Sequence, residues 1–483
     1  MTSADLPYIS AVDALAAFRS RELSPVELLD ALLARADEVE PSINAVVHVR
    51  REAAYAAARE SEARYAGRGG GATRPLEGLP VAIKEEQPFL GETIEYGSLA
   101  LKGRIADHQH PIIDRIGAAG GVMHIRTATP EFSCAAFTHT RLWGVTRNPW
   151  NLDMTPGGSS GGTAAALSAG EAILGTGSDI GGSIRIPASL CGLVGYKPPY
   201  GRVPALAPYN LDTYCHDGPL ARSVADVVLL HNVISGQDPH DIVSLPFPGP
   251  IDVTGAADRV RGRRIAWART IGDAPVDPDV AAATAGVARA LEGLGAEVEQ
   301  VEVDVPLELL FDTLFTHFGA LMGPSIDADV RGRDDLVMPY VAAFRERAEA
   351  TYARVGAYRG TELEGEISAR VVAATAGFDA FVCPTMLATG LVADDDYTET
   401  RVVIDGRELE FYLMAAATPL FNVLARRPVM AVPSGVAPNG VPMGVQVVVR
   451  PYDDTTAFDV AAGLETALRW WADPAWRPPL VGR

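Results

Sequence analysis

The sequence predicts an α/β fold, and three observations carry that assignment. A strand over 265–268, a helix over 278–294 and a strand over 297–303 follow one another in a β-α-β rhythm. Helix and strand signals also alternate between His108 and Thr138, where 111–119 reads as a helix stopped by Gly120-Gly121 and 122–125 as a strand. Two apolar runs, 428–435 and 444–449, flank the turn residues Pro438-Asn439-Gly440 as paired strands.

Each element can be justified along the chain. Ser10 with Asp13 opens a first helix, and Ser24-Pro25-Val26-Glu27 opens a second with a capping box and a proline at the first helical position. Leu29, Leu32, Leu33 and Ala36 then lay an apolar stripe on one face. A short strand over 43–49 leads to an alanine-rich helix and to the loop Gly67-Arg68-Gly69-Gly70-Gly71, a surface connection. Gly78-Leu79-Pro80-Val81-Ala82-Ile83-Lys84 is a strand that ends on a lysine, and Thr129-Pro130-Glu131-Phe132 is a turn. The four prolines within 236–260 mark a surface excursion. Residues 307–375 read as mostly helical without a motif. Pattern returns as a strand over 378–385 with Pro384 at its exit, and at Thr418-Pro419-Leu420-Phe421-Asn422.

Composition excludes several classes. With 483 residues, 48% of them hydrophobic, the chain can bury a large core. Its 61 acidic against 41 basic residues, a formal charge of −20, argue against nucleic acid or an anionic membrane as a partner. There is no twenty-residue apolar run, and Met1-Thr2-Ser3-Ala4-Asp5-Leu6-Pro7 lacks a basic segment with an apolar stretch behind it, so a cytoplasmic location is expected. Cys134, Cys191, Cys215 and Cys383 are widely spaced and read as buried thiols rather than disulfides or zinc ligands. His108 and His110 lack a third metal ligand nearby and read as solvated loop residues, so no metal is expected.

The chemistry concentrates in residues 148–198, where two serines sit in glycine-rich turns. Gly157-Gly158-Ser159-Ser160-Gly161-Gly162 runs into a helix of small residues, Thr163 to Gly170, and the second turn is Asp179-Ile180-Gly181-Gly182-Ser183. Consecutive glycines before a serine leave backbone N–H groups uncovered, as a site that receives an oxyanion requires. Other readings compete. The Lys-Ser/Thr that completes a P-loop is missing after Gly162, and no Gly-x-Gly-x-x-Gly occurs. Gly158-Ser159-Ser160-Gly161-Gly162 fits the nucleophile elbow of α/β-hydrolases, with Ser160 as nucleophile, but the preceding residues, with Pro149 and Pro156, form a loop instead of the required strand. Glycine pairs that merely serve tight turns are the commonest case. Two such turns, each with serine, joined by one small-residue helix, argue against it.

These motifs resemble the signature of the amidase signature family of serine hydrolases. The resemblance covers nearly the whole chain and is densest from about Leu76 to Asp241. It implies a mixed, twisted central β-sheet of many strands with helices on both faces. It also implies one domain over 1–483, with an N-terminal helical region (1–75), a signature core (76–241) and a C-terminal part (242–483) whose segment 307–375 varies and shapes the pocket. By the same resemblance Ser183 is the nucleophile, Ser159 the bridging serine held by a cis peptide bond, and Lys84 the base. A lysine at the end of an apolar run usually reaches to the surface. Desolvation would disfavour the ammonium and let such an amine accept a proton near neutral pH. The family usually continues with Asp-Asn after the lysine, whereas here Glu85-Glu86-Gln87-Pro88 follows, and at least one of the two carboxylates is expected to point elsewhere.

The implied activity is amide hydrolysis through an acyl-enzyme, releasing a carboxylate and ammonia or an amine, with no cofactor. The N–H groups of Ile180, Gly181, Gly182 and Ser183 are expected to receive the oxyanion. Asp179 and Arg185 are expected to fix the turn by charge-assisted hydrogen bonds. Ser133, Cys134 and the stretch near Trp143 are expected to line the pocket of a small-molecule amide. A homodimer stays open as an assembly state. An alternative is the glutaminase subunit of a glutamyl-tRNA(Gln)-type amidotransferase, and a second is a catalytically inactive binding protein.

Overall fold

The computed structural model describes residues 5–68, 70–471 and 476–481. Gly69 of the 67–71 loop and residues 1–4 of the N-terminal stretch lie outside them. Eleven strands form one mixed sheet, in chain order β1 (Val46–Val49), β2 (Pro80–Lys84), β3 (Val122–Thr127), β4 (Leu174–Asp179), β5 (Val194–Lys197), β6 (His216–Ala221), β7 (Arg264–Trp267), β8 (Glu297–Gln300), β9 (Ala380–Pro384), β10 (Val429–Val436) and β11 (Pro442–Val449). Across the sheet they run β1-β3-β2-β4-β6-β5-β10-β11-β9-β7-β8. The trio β3-β2-β4 is parallel, as is β9-β7-β8, and the strands between and outside them pair antiparallel.

Both faces of the sheet are covered, as the alternation along β9 makes plain. Ala380 and Val382 belong to the same core cluster as Leu15, Phe18, Leu230 and Phe458, while Phe381 and Cys383 belong to the cluster of Phe311, Phe315 and Phe344. The expected helix caps form. Ser10 accepts a hydrogen bond from Asp13 N, and Ser24 with Glu27 closes a full capping box around Pro25–Ile43. That helix extends past Pro41 and delays β1, which starts at Val46 rather than at residue 43. Asn44 ends the helix at φ 50°, and the Glu40 carboxylate takes Ala45 N and Val46 N at 2.8 and 3.0 Å. The β-α-β unit is present as β7, the helix Pro278–Gly293 and β8, with β8 ending at Gln300 rather than at residue 303. Residues 307–375 supply four helices, Leu307–Ala320, Met322–Val330, Pro339–Val355 and Ala357–Ala374. No helix among the described residues is long and apolar enough to cross a membrane.

The helix Gly161–Ala169 lies against β2, β3 and β4 with all nine residues buried. Close approach explains its small side chains. A Cβ on Gly162 would stand 2.4 Å from Ala128 N, and one on Gly175 of β4 would stand 2.4 Å from Thr163 Cγ2. At the far end of this helix Glu171 is fully buried, and no donor among the described residues reaches either carboxylate oxygen. Burial, with the neighbouring Glu40 carboxylate adding to it, pushes the Glu171 carboxyl well above its usual range, so folding favours its protonated form.

The unfolded chain releases that proton above about pH 4.3. The stability gained from a neutral Glu171 is therefore complete below that pH and falls as the pH rises toward the folded-state value. Glu171→Gln, which mimics the protonated group, should raise the unfolding free energy at neutral pH by about 1–3 kcal/mol and flatten its fall between mildly acidic and neutral pH. Urea denaturation over that pH range measures both, and a parallel, unshifted pair of curves is the contrary outcome.

Candidate active site

The parallel neighbours β2 and β4 end side by side, and their ends build the site. Lys84 closes β2, with its backbone N–H on Thr176 Oγ1 at 3.2 Å, and every residue of that strand is buried. The Lys84 side chain is 0% exposed, so the amine does not reach solvent. Its Nζ meets three groups instead: Ser159 Oγ at 2.6 Å, Ser178 Oγ at 2.9 Å and Glu86 Oε1 at 3.0 Å. Ser178 went unnoticed in the sequence. Its signal was there, since Thr176 and Ser178 alternate with Gly175 and Gly177 and thus put both hydroxyls on one face of a buried strand.

Ser159 follows a cis peptide bond from Gly158. A Cβ on Gly158 would lie 2.6 Å from the carbonyl oxygens of both Ala135 and Phe137, so only glycine fits between those chains. The neighbouring Ser160 is 0% exposed, with its hydroxyl facing Ser178 O at 3.4 Å beneath the turn. A sealed hydroxyl without a preceding strand does not make a nucleophile elbow, so Ser160 is not placed to attack anything. Its backbone N–H donates to Ser183 O at 3.0 Å and ties the two glycine turns together.

The turn after β4 is organised by one buried ion pair. Arg185 donates Nε to Asp179 Oδ2 at 2.9 Å and Nη2 to Asp179 Oδ1 at 2.7 Å, and both side chains are 0% exposed. Burial alone would raise the Asp179 carboxyl, but the Arg185 charge and the hydrogen bonds from Arg185 and Asn422 outweigh it and hold it well below the usual range. Asp179 also accepts from Gly182 N at 3.0 Å and Ile184 N at 3.2 Å. Of the four N–H groups expected to face an oxyanion, that of Gly182 is thus turned to the carboxylate. Those of Ile180, Gly181 and Ser183 meet no acceptor among the described residues. Thr418, Asn422 and Gln446, none of them foreseen, take the remaining donors of Arg185.

Ser183 opens onto a cavity that Ser133, Cys134, Ile180 and Gly181 also line, as expected for the first two. The rest of its wall includes Phe318, Met322 and Phe344 of the 307–375 helices, with Ile186 and Leu413. Among the described residues no charged side chain lines it. Trp143 is not part of it: that residue sits in a small hairpin, where its carbonyl accepts from Asn44 Nδ2 at 2.7 Å. The two carboxylates after Lys84 part ways. Glu85 turns from the amine to accept from Glu95 N and Tyr96 N at 2.6 and 3.0 Å, and burial pushes it up to about 7. Glu86 faces Lys84, and its second oxygen accepts from Ser133 Oγ.

Elsewhere, His110 caps the helix Pro111–Ala118 and faces Asp217 at 3.3 Å, while His108 lies exposed beside Asp107. No group of three His, Cys, Asp or Glu able to hold a metal ion occurs among the described residues. Cys134, Cys191 and Cys383 are buried, Cys215 is partly so, and all four are free thiols.

A sequence model of the Amidase family matches residues 27–458. A glutamyl-tRNA(Gln) amidotransferase subunit of Chloroflexus aggregans is 34% identical over 492 residues, covering 96% of this chain and 98% of that protein. An acylamidase of Rhodococcus erythropolis is 32% identical over 479 residues, 98% of each. The solved structure of a bacterial aryl acylamidase of the amidase signature enzymes superposes with a TM-score of 0.87 at 26% identity, covering 99% of both chains. With its mixed eleven-stranded sheet and its paired serine turns, the chain belongs to the amidase signature family and is a hydrolase of amide carbon–nitrogen bonds.

Proposed function

We propose that this chain hydrolyses a neutral, apolar amide through a Ser183 acyl-enzyme, with Ser159 and Lys84 as the proton relay. The observation that carries the reading is the buried contact of 2.6 Å between Lys84 Nζ and Ser159 Oγ, beside a turn whose serine opens onto a cavity. Neutral Lys84 takes the Ser159 proton, Ser159 takes the Ser183 proton, and the Ser183 oxygen adds to the amide carbonyl. The free N–H groups of Ile180, Gly181 and Ser183 receive the oxyanion, and each such donor typically contributes about 3 kcal/mol. Lys84 then returns the proton through Ser159 to the leaving nitrogen as the C–N bond breaks. Water enters by the same relay and releases the carboxylate.

The cavity supports the choice of substrate. Glutamine carries an ammonium and a carboxylate, and burying them without partners costs several kcal/mol. The walls of this cavity offer aromatic rings, a thioether and aliphatic side chains, with one hydroxyl and one thiol for polar contact beside the nucleophile. The likeness to amidotransferase subunits keeps the glutaminase as the second reading, and the uncharged lining speaks against it.

Ser183→Ala and Lys84→Ala should each lower kcat by at least about 1,000-fold with the circular dichroism spectrum unchanged. A fluorophosphonate probe should label Ser183 and spare Ser159 and Ser160, as peptide mapping shows. Full turnover in either variant rejects the relay. On a substrate panel, kcat/KM for a neutral anilide should exceed that for glutamine by at least about 100-fold. Glutamine hydrolysis at the higher rate establishes the second reading instead.

A further inference from the structure

We infer that Glu86 is a positioning residue of this amidase: its carboxylate fixes the direction of the Lys84 amine and ties the relay to the substrate cavity through Ser133. The inference rests on Lys84 acting as the base. The argument is a donor count. An ammonium has three N–H donors, and Nζ has three neighbours, Ser159, Ser178 and Glu86. The neutral amine has two N–H donors and one lone pair. A carboxylate offers only acceptors, so one N–H must stay on Glu86 Oε1, and the lone pair is then confined to a hydroxyl. Without that anchor the amine could rotate its lone pair away from both serines.

The same carboxylate answers the charge that the relay creates. When the Ser159 proton moves to Nζ, the new ammonium, itself buried, has an anion 3.0 Å away. The other oxygen of Glu86 holds Ser133 Oγ, which also bonds Thr129 Oγ1 at 2.8 Å and lines the cavity with Ser183. A substrate that touches Ser133 therefore acts on Lys84 through a single carboxylate. The other titratable groups near Glu86 leave this pairing alone. Burial pushes the Tyr96 hydroxyl and the Cys215 thiol above their usual ranges, and Glu85 faces the Glu95 and Tyr96 backbone.

The test compares Glu86→Gln, which keeps size and an acceptor but removes the charge, with Ser133→Ala, which removes the donor on the far oxygen. Both are assayed on a neutral anilide across the mildly acidic to alkaline range. Glu86→Gln should lower kcat by roughly 10–100-fold with KM changed less than about 3-fold. The acid limb of its kcat/KM profile should move to lower pH, because the ammonium loses its counter-charge. Ser133→Ala should move that limb to higher pH, because the full charge of Glu86 then rests on Lys84. A folded Glu86→Gln with unchanged kcat and acid limb overturns the inference, and so does a shift in the same direction in both variants. Should Glu86→Gln fail to fold, the direction of the Ser133→Ala shift decides alone. Ser183→Ala run in parallel separates the two levels: activity there sinks the relay itself, whereas its inactivity beside a normal Glu86→Gln sinks only the role of Glu86.

Discussion

An amine sealed from water at the end of a central strand is the constraint around which this molecule is arranged. Lys84 ends a strand that lies between β3 and β4, and its side chain is 0% exposed. A group of that polarity is tolerable in the interior only if every donor finds a partner, and the chain supplies three. Those partners come from three separate places: the Gly158-Ser159 turn, the end of β4 and the residue two positions beyond the lysine itself. Satisfying one buried nitrogen thereby fixes the relative positions of β2, β4 and the first serine turn. Lys197 shows the alternative. It is equally buried and burial lowers its basicity, but its contacts are the Pro198, Ala425 and Arg427 carbonyl oxygens and His216, with no serine hydroxyl among the described residues in position to pass a proton.

The second turn is held by a different device. Arg185 and Asp179 are close in sequence, yet the guanidinium is completed by Thr418, Asn422 and Gln446, more than two hundred residues away. Breaking such a pair leaves an uncompensated charge in the interior, which costs more than the pair contributes when whole. The turn that carries Ser183 is therefore rigid only when the C-terminal strands are in place. Gly182 explains the tightness of the join: a Cβ there would stand 2.0 Å from Thr418 Oγ1. The signature residues and the distal third of the chain thus fold as one unit around the nucleophile turn.

Much of this was legible in the sequence, and what was not has physical reasons. Capping residues, the β-α-β unit and the closing hairpin are local signals, and they form with shifts of a few residues at their ends. The two serine turns stood out because glycines and serines in that density have few other uses, whereas the lysine stood out only through its place in a stretch that resembles the family's signature. The partners of Arg185 were illegible because the Thr418 carbonyl carries no sequence signal and an asparagine and a glutamine in separate elements carry no mark of pointing inward. The pocket wall of Phe318, Met322 and Phe344 was invisible for a related reason. Apolar residues at helical spacing read as core, and only the tertiary arrangement turns one of their faces to Ser183. Glu86 was the opposite case: its departure from the expected Asn was visible, but the direction of its side chain was not.

The division between these two kinds of residue has a chemical logic. In the proposed mechanism the relay moves protons and so needs polar, hydrogen-bonded groups, whereas the cavity beside it is lined mostly by apolar side chains. Placing both within one wall sets a difficulty, because an apolar cavity makes any charge at its edge expensive. Gly158, Gly181 and Ser183 line the cavity, whereas Lys84, Ser159 and Ser178 lie outside its lining, so main chain stands between the two. Glu86 and Ser133 then form a side-chain bridge across that partition, linking the amine to the cavity wall. A bridge of that kind lets the occupant of an uncharged pocket affect a charge-moving relay without placing any ion in the pocket itself.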